Sequence, residues 1–354
     1  MLKSNILALS VLFLASSCGT ANYPDKPRYE RLDHIAVWAA DWKKSAQFLE
    51  EYMGWDLHPI IFGASGESVG DMDLVFVDGN GLWIEFVQPT SEGPGMELLD
   101  LLGDGAVVEL DFQSDNYQQS LDSAIDNGLQ MLGMDGLPLK DRGRIIDGII
   151  DKNAIGEMPD EYIAYFPYEL TGGTAVEIYE RNDEDGESIL NKRDAMWGRS
   201  RTDQPYNESL PKIKYLTLLV EDINTVRKFY EEHLLLDVGD VSDWQGHKSV
   251  VVNANGVYEG DLLIRLIQPI VDDSIMRSYQ TKGSGHVLEI AAEVKSIQDF
   301  NKNMIFKGVK MVDSEGREYS IDSPFSVDHE SQESYFYFPL DLSLGMNIKV
   351  FEKK

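Results

Sequence analysis

Alternation of apolar and polar residues, broken by turns rich in Gly and Asp, organises this chain. Residues 31–39 alternate with the period of a strand, and residues 42–53 place Ala46, Phe48, Leu49 and Met53 on one face of a helix. Gly54 stands where such a helix needs a C-terminal stop. Strands are expected around 57–62, 72–77 and 82–87, the last two joined by Asp78-Gly79-Asn80-Gly81, a strong hairpin signal. The succession then returns, with a strand at 106–113, a helix at 117–127 closed by Gly128, and strands at 161–166 and 174–179. Residues 134–159 form a long stretch rich in Gly and Asp, suited either to a lid or binding loop or to a solvated excursion.

The whole pattern repeats from Lys212. Leu262-Leu263-Ile264-Arg265-Leu266-Ile267-Gln268-Pro269 matches Leu82-Trp83-Ile84-Glu85-Phe86-Val87-Gln88-Pro89, and Gly283-Ser284-Gly285-His286-Val287-Leu288-Glu289 parallels Gly103-Asp104-Gly105-Ala106-Val107-Val108-Glu109. An offset of about 180 residues points to duplication of a whole domain rather than a solenoid. The expected organisation is a signal segment at 1–17, a polar leader at 18–30, one domain at 31–181, a linker at 182–211 and a second domain at 212–354. The linker opens with Asn182-Asp183-Glu184-Asp185-Gly186, yet Arg181 and Lys192 stand where a calcium loop needs its first and last acids, so a solvated connector is expected.

Four strand-like segments of the first half carry a potential metal ligand: His34, Glu85, Glu109 and Glu177. Side chains on a strand alternate faces, so His34 is expected beside Ala36 and Trp38, and Glu109 beside Val107 and Asp111. Glutamates inside β-branched and aromatic strands are costly to bury unless a cation compensates them. They could equally face water or pair with cations such as Arg142 or Arg144, and His34 could be a hydrogen-bonded core residue. In the second half the corresponding positions read Tyr215, Arg265, Glu289 and Lys349. There Lys349 and Arg265 are expected to pair with Glu289 and neutralise the site without a metal. His247, His286 and His329 lie outside the matched positions and are expected at the surface or in loops, and His58, which precedes Pro59 near a strand start, is not expected to be a ligand. Trp38, Trp83 and Tyr179 share the ligand-bearing faces and could wall a pocket.

On these segments, and on Leu32-Asp33-His34-Ile35-Ala36-Val37 followed by Asp41, Ser45, Phe48, Tyr52 and Gly54-Trp55, the chain resembles the vicinal oxygen chelate superfamily, whose members include glyoxalase I, methylmalonyl-CoA epimerase, drug-resistance proteins and extradiol dioxygenases. The resemblance implies an α+β fold of four βαβββ units, forming two tandem glyoxalase-like domains with cupped mixed sheets. It also implies a divalent metal ion held by His34, Glu85, Glu109 and Glu177, with Glu177 or Glu85 as catalytic base. One imidazole and three carboxylates suit Mn, Fe or Mg, with Zn or Ni also open. The superfamily commonly has a histidine where Glu109 stands, which weighs against a non-haem iron triad of two histidines and one carboxylate. The implied activity is that of a lyase or isomerase acting on a small oxygenated carbonyl compound through a metal-stabilised enediolate. A non-catalytic binding protein of the resistance type is the rival.

Charge and the N-terminus narrow the setting. A formal net charge of −30 excludes nucleic acid as a natural partner, because phosphate binding needs clustered Lys and Arg. Apolar residues make up 43 %, enough to bury a real core. Lys3, the apolar run 6–14 and the small residues Ala15-Ser16-Ser17 before Cys18 read as an export signal. Cys18 is the only cysteine and resembles the lipidated residue of a bacterial lipoprotein. The expected location is the periplasmic face of the outer membrane, with the lipid on Cys18 as the only membrane contact. A small-molecule substrate is the expected partner, and a homo-oligomer is possible but not required.

Overall fold

The computed structural model describes residues 29–353 apart from 63–71, 115–116, 134–136, 140–162, 181–206, 208, 255–261, 320–325 and 329–332. The export signal with Cys18, residues Arg142 and Arg144, His329, and nearly all of the 134–159 stretch and the linker lie outside the described residues.

Each half begins with the predicted strand and helix. In the first, β1 (Tyr29–Trp38) leads to α1 (Trp42–Phe48), whose first turn is capped by Asp41 accepting from the Lys44 amide. A π turn (Leu49–Met53) continues α1, and Gly54 ends it at φ 71°, a left-handed conformation that only glycine adopts without strain. Next come β2 (Asp56–Phe62), β3 (Met72–Asp78), β4 (Trp83–Pro89), α2 (Pro94–Leu102), β5 (Val107–Ser114), α3 (Tyr117–Asp126), β6 (Ile163–Tyr165), α4 (Tyr168–Thr171) and β7 (Ala175–Glu180). The strands form one mixed sheet in the order β2-β3-β4-β1-β5-β7-β6. β1 runs parallel to β4, β5 parallel to β7, and β1 antiparallel to β5.

The second half repeats this plan. It comprises β8 (Lys212–Leu219), α5 (Ile223–Lys228) with its own π turn (Phe229–His233), β9 (Asp237–Val238), β10 (Ser242–Trp244), β11 (His247–Asn253), β12 (Leu263–Gln268), α6 (Ser274–Lys282), β13 (Val287–Glu293), α7 (Ile297–Phe306), β14 (Ser326–Asp328), β15 (Glu333–Tyr337) and β16 (Ile348–Lys353). Its sheet runs β10-β11-β12-β8-β13-β16-β15-β14, with β9 also paired to β11. The sequence reading did not anticipate α2 and α6. Both are short helices that put one leucine or isoleucine, Leu99 or Ile275, into a small cluster on the open side of a sheet.

A single large apolar cluster draws on both halves, including Ile35, Phe86, Phe112 and Val176 from one and Leu216, Leu266, Ile290 and Val350 from the other. Each opening helix packs on the closing unit of the other half. Phe48 meets Phe338 edge-on with ring centres 5.1 Å apart, and Phe229 meets Phe166 in the same way at 4.9 Å. Close backbone approaches follow the same symmetry: Gly105 lies against Gly345, and Gly285 against Gly173. The sheets therefore share one core between their backs, and each leaves its other face open as a cup.

Candidate metal centre in the first cup

Four adjacent strands, β4, β1, β5 and β7, carry the candidate ligands. Neighbouring strands lie roughly 4.8 Å apart, so one side chain per strand, all on the same face, can converge on a common point. His34, Ala36 and Trp38 of β1 turn to the cup, while Ile35 and Val37 enter the core. Glu85 lies opposite Ala36, Glu109 opposite Ala36 from the other side, and Glu177 opposite Asp111.

Asp111 completes the arrangement. His34, Glu85 and Asp111 offer ligand atoms that all lie within 4.8 Å of one another, and so do Glu109, Asp111 and Glu177. The four residues singled out from sequence thus surround a fifth that belongs to both groups. His34 Nε2 is 3.2 Å from Asp111 Oδ2 and 3.5 Å from Glu85 Oε2. Asp111 is 1 % exposed, and beyond its contact with His34 neither of its carboxylate oxygens has a hydrogen-bond partner among the described residues. Glu109 Oε1 is likewise buried without one. Burial of acceptors in this state is unfavourable by about 1–3 kcal/mol each, more when charged. A divalent cation fits such a donor set.

Electrostatics follow from the crowding. Burial holds the Asp111 carboxyl well above the usual carboxylate range, and the charges of Glu109, Glu177, Glu85 and Asp33 push it further. Glu109 is also raised, first by burial and then by the charge of Glu85, against a hydrogen bond with Glu177 that pulls it down. For His34 burial acts downward, but hydrogen bonds with Asp33 and Glu85 and their charges outweigh it and bring the imidazole to about 9. Without a cation, the chain itself balances its carboxylates by keeping protons on this cluster.

Three local features were missed in the sequence. A register shift between Leu32 and His34 breaks the strict alternation of β1 and lets Asp33 reach back to His34 Nδ1 at 3.1 Å, so the imidazole has a fixed orientation. A second shift, between Ala36 and Val37 opposite Val107 to Glu109, sends Val107 into the core instead of leaving it beside Glu109, and puts Val108 on the cup side. Tyr165 on β6 hydrogen-bonds Glu109 and Glu177, and its hydroxyl is held well above the ordinary tyrosine value, chiefly by burial and then by those two charges. Asp111 had a readable signal in its position two residues after Glu109. Tyr165, brought in by a three-residue edge strand, had none.

Of the three aromatic side chains expected to wall the site, Trp83 and Tyr179 stand near His34, together with Phe76, which the sequence reading did not name. The His34 ring packs edge-on to Phe76 at 5.6 Å and lies 5.8 Å from Tyr179, while Trp83 packs on Phe76. Trp38 sits with Ala36, Val87 and Leu99 in the apolar cluster under α2.

The second cup departs from expectation. Lys349 does not pair with Glu289. Its Nζ is 3.0 Å from Glu333 Oε2 and donates to the Tyr215 hydroxyl. Glu289 instead accepts from Thr217 at 3.0 Å and from Tyr337 at 2.7 Å. The Arg265 guanidinium stacks over Tyr215 and Trp244, 4.7 and 5.0 Å from the ring centres. Both new partners come from β15, where Tyr337 lies opposite Lys349 and Glu333 opposite Lys353, and no sequence motif announces them. His247 also corrects the reading: it is fully buried, and its Nε2 lies 2.9 Å from Asp273 Oδ2, while its Nδ1 accepts from the Ile270 amide. His286 is half-buried, and burial followed by the nearby Lys282 charge lowers it to about 4.

No protein-family model and no curated protein matches the chain. Among solved structures it is similar to a mutant of 4-hydroxymandelate synthase from Streptomyces coelicolor, with a TM-score of 0.62 at 14 % identity over 92 % of this chain and 93 % of that one. It is also similar to the Mn(II)-bound glyoxalase from Novosphingobium aromaticivorans, with a TM-score of 0.53 at 10 % identity over 92 % and 83 %, and to a catechol 2,3-dioxygenase, with 0.52 at 9 % over 92 % and 89 %. Identities this low speak for architecture alone. With two tandem glyoxalase-like halves and a clustered His and carboxylate site in one cup, the chain has the vicinal oxygen chelate fold.

Proposed function

We propose that the first cup binds one divalent cation and that the protein is a metal-dependent isomerase or lyase of the glyoxalase type, acting on a small compound with adjacent oxygens. Asp111 is the observation that carries this reading: a buried carboxylate without a hydrogen-bond partner, common to two groups of ligand atoms. His34, Glu85 and Asp111 would hold the ion, with Glu109 and Glu177 completing or flanking the set. A bound divalent ion supplies Lewis-acid polarisation of a substrate oxygen. A donor set dominated by carboxylates favours a hard ion such as Mn(II) over a thiophilic one, and a single imidazole argues against the iron triad of dioxygenases.

The chain's own residues supply the proton chemistry. Glu177 is 8 % exposed at the cup floor and belongs to the group that does not include His34, so it is the candidate base for a carbon-bound proton. Glu85 was the other candidate from sequence, but its place beside His34 Nε2 suits it to ligation. Glu109, whose carboxyl is raised, stands beside Glu177 as a second proton-holding group, and the Tyr165 hydroxyl orients both. Asp33 fixes the His34 ring, and the aromatic wall of Phe76, Trp83 and Tyr179 limits water.

The leader ending at Cys18 supports export and lipid tethering to the periplasmic face of the outer membrane. Thiol cosubstrates and coenzyme A esters are cytosolic, so an exported enzyme would act on another compound, such as a sugar-derived or aromatic catabolite.

The test is metal analysis of protein purified without chelator, followed by incubation of the metal-loaded enzyme with hydroxyacetone and glyceraldehyde in deuterated water. One ion per chain, and deuterium entering next to the carbonyl in wild type but not in Glu177→Gln, is the expected result. An ion without exchange would make the first cup a binding site only. Protein that retains none of Mn, Fe, Mg, Zn or Ni would overturn the reading.

A further inference from the structure

The second cup keeps a cavity where the matched positions have lost their ligands. It has a volume of about 470 Å³, within the range of roughly 300–1,000 Å³ typical of small-molecule sites. Glu289 and Lys349 lie in its lining, although they are only 4 % and 3 % exposed. Trp244, Tyr335, Tyr337 and Phe338 wall it.

The chemistry of this lining narrows the guest. Lys349 and Arg265 hold the positions that Glu177 and Glu85 hold in the first cup, so two fixed cations stand where a metal would need carboxylates. A polyanion is disfavoured, because Asp273, Asp313, Asp341 and Glu289 also line the cavity, whereas Lys349 is the sole lining cation among the described residues and is already paired with Glu333. A purely apolar guest is disfavoured too, since it would cover the remaining hydrogen-bonding capacity of Glu289 and Lys349 and leave it unmet. Lys349 Nζ donates to Tyr215 and Glu333, so among the described residues one of its three N–H groups has no oxygen acceptor. Trp244 Nε1, in the lining, also lacks a hydrogen-bond partner among the described residues. Glu289 accepts one bond on each oxygen and has lone pairs left for a donor.

We propose that the second cup is a metal-free binding site for a small, uncharged polyhydroxylated ring of the sugar class. Neighbouring hydroxyls would accept from Lys349 and donate to Glu289, and one face of the ring would lie on the Trp244 and Tyr335 wall. A hydroxyl is both donor and acceptor, so adjacent hydroxyls can serve an ammonium and a carboxylate together without adding charge to the site. The apolar C–H face of such a ring suits the aromatic wall.

The test titrates the full mature chain with D-glucose, D-galactose, D-mannose and myo-inositol, with benzoate as the anionic aromatic comparison. Binding is read by saturation-transfer NMR and calorimetry. At least one of the polyols should bind, equally well with and without chelator, and Asp111→Asn should leave it unchanged. Glu289→Gln and Trp244→Ala should each weaken it by about tenfold or more. Trp244 belongs to a short surface hairpin, so its variant guards against misfolding from the Glu289 change. The proposal is overturned if none of the polyols binds up to tens of millimolar, if benzoate binds in preference, if chelator abolishes binding, or if a folded Trp244→Ala protein binds as wild type does.

Discussion

His34 and Asp111 are direct register partners across β1 and β5, with Nε2 3.2 Å from Oδ2. The pair joins the two halves of the first cup's cluster, since Asp111 also lies within reach of Glu109 and Glu177. Replacing Asp111 by Asn keeps the shape and removes the charge. Metal affinity should fall by more than the roughly 10–100-fold that an outer-shell change costs. The metal-free protein should move the other way and gain stability, most at neutral pH and above, because Asn is neutral without holding a proton whereas folding must keep one on the Asp111 carboxyl. Calorimetric metal titration and chemical denaturation with chelator present would measure the two. A variant that binds metal normally would remove Asp111 from the site.

The same cluster sets the pH dependence of the metal-free protein. His34 rises from 6.5 to about 9 on folding, so its contribution to stability is full below 6.5 and is lost as pH climbs through 9. Asp111 and Glu109 also have raised values, so the folded state holds more protons than the unfolded one once pH exceeds about 4, and stability falls from there upward. All three act in one direction. Urea midpoints in chelator should decline between about pH 5 and 9, more steeply for wild type than for Asp111→Asn. Saturating Mn(II) should flatten the curve, because binding displaces those protons. A wild-type profile without chelator-dependent slope would contradict the assignment.

Asp33 touches the imidazole but stays outside both groups of candidate ligands. Asp33→Asn should lower metal affinity by about 10–100-fold while leaving the number of bound ions at saturation unchanged. The His34 titration followed by NMR in metal-free protein should shift downward, since a hydrogen bond and a charge that raise it are lost. An unchanged His34 titration would show that the Asp33 contact does not orient the ring.

Much of this architecture was legible in alternation alone. The strands carrying His34, Glu85, Glu109 and Glu177 lie where period-two patterning puts them, and the tandem repeat foretold a second sheet of the same order. What patterning could not show depends on departures from regularity. The register shift beside His34 brings Asp33 to the imidazole, and the one beside Glu109 exchanges the faces of Val107 and Val108. Tyr165 comes from the edge strand β6 and Glu333 and Tyr337 from β15, between β16 and β14, strands whose pairing is fixed by tertiary contact, so the sequence suggested Glu289 as the partner of Lys349 when Glu333 holds that place. Asp111 is the instructive case. Its face was readable from Glu109, but only the sheet shows that neighbours from three other strands close around it.

The tethering proposal is tested apart from the chemistry. In a bacterial host that processes lipoproteins, wild type should partition with membranes and be extracted by detergent, whereas Cys18→Ser should leave that fraction. Metal binding by the released form should be unchanged, because the candidate ligands all come from the sheet of the first half. Wild-type protein found wholly in the soluble fraction would remove the lipid anchor.

The junction between the halves offers a last prediction. Gly345 takes φ 85°, and a Cβ built on it would lie 1.9 Å from the Asp104 carbonyl oxygen; one on Gly105, at φ 77°, would lie 2.2 Å from the Met346 amide nitrogen. Backbone stands in the way at both positions, so a side chain cannot simply turn aside. Gly345→Ala combines this clash with left-handed strain of about 1–2 kcal/mol and should cost at least about 2 kcal/mol overall. Asp104 Oδ1 also accepts from the Ala40 amide, just beyond β1, and Gly105 donates to the Trp38 carbonyl at the end of the strand that carries His34. Opening the junction should therefore reach the first cup, lowering metal affinity as well as the unfolding midpoint. Gly128→Ala, at φ 82° with nothing within 4 Å of the added carbon, is the matched control for backbone strain alone. Equal losses in the two variants would mean that the close approach between the halves contributes nothing.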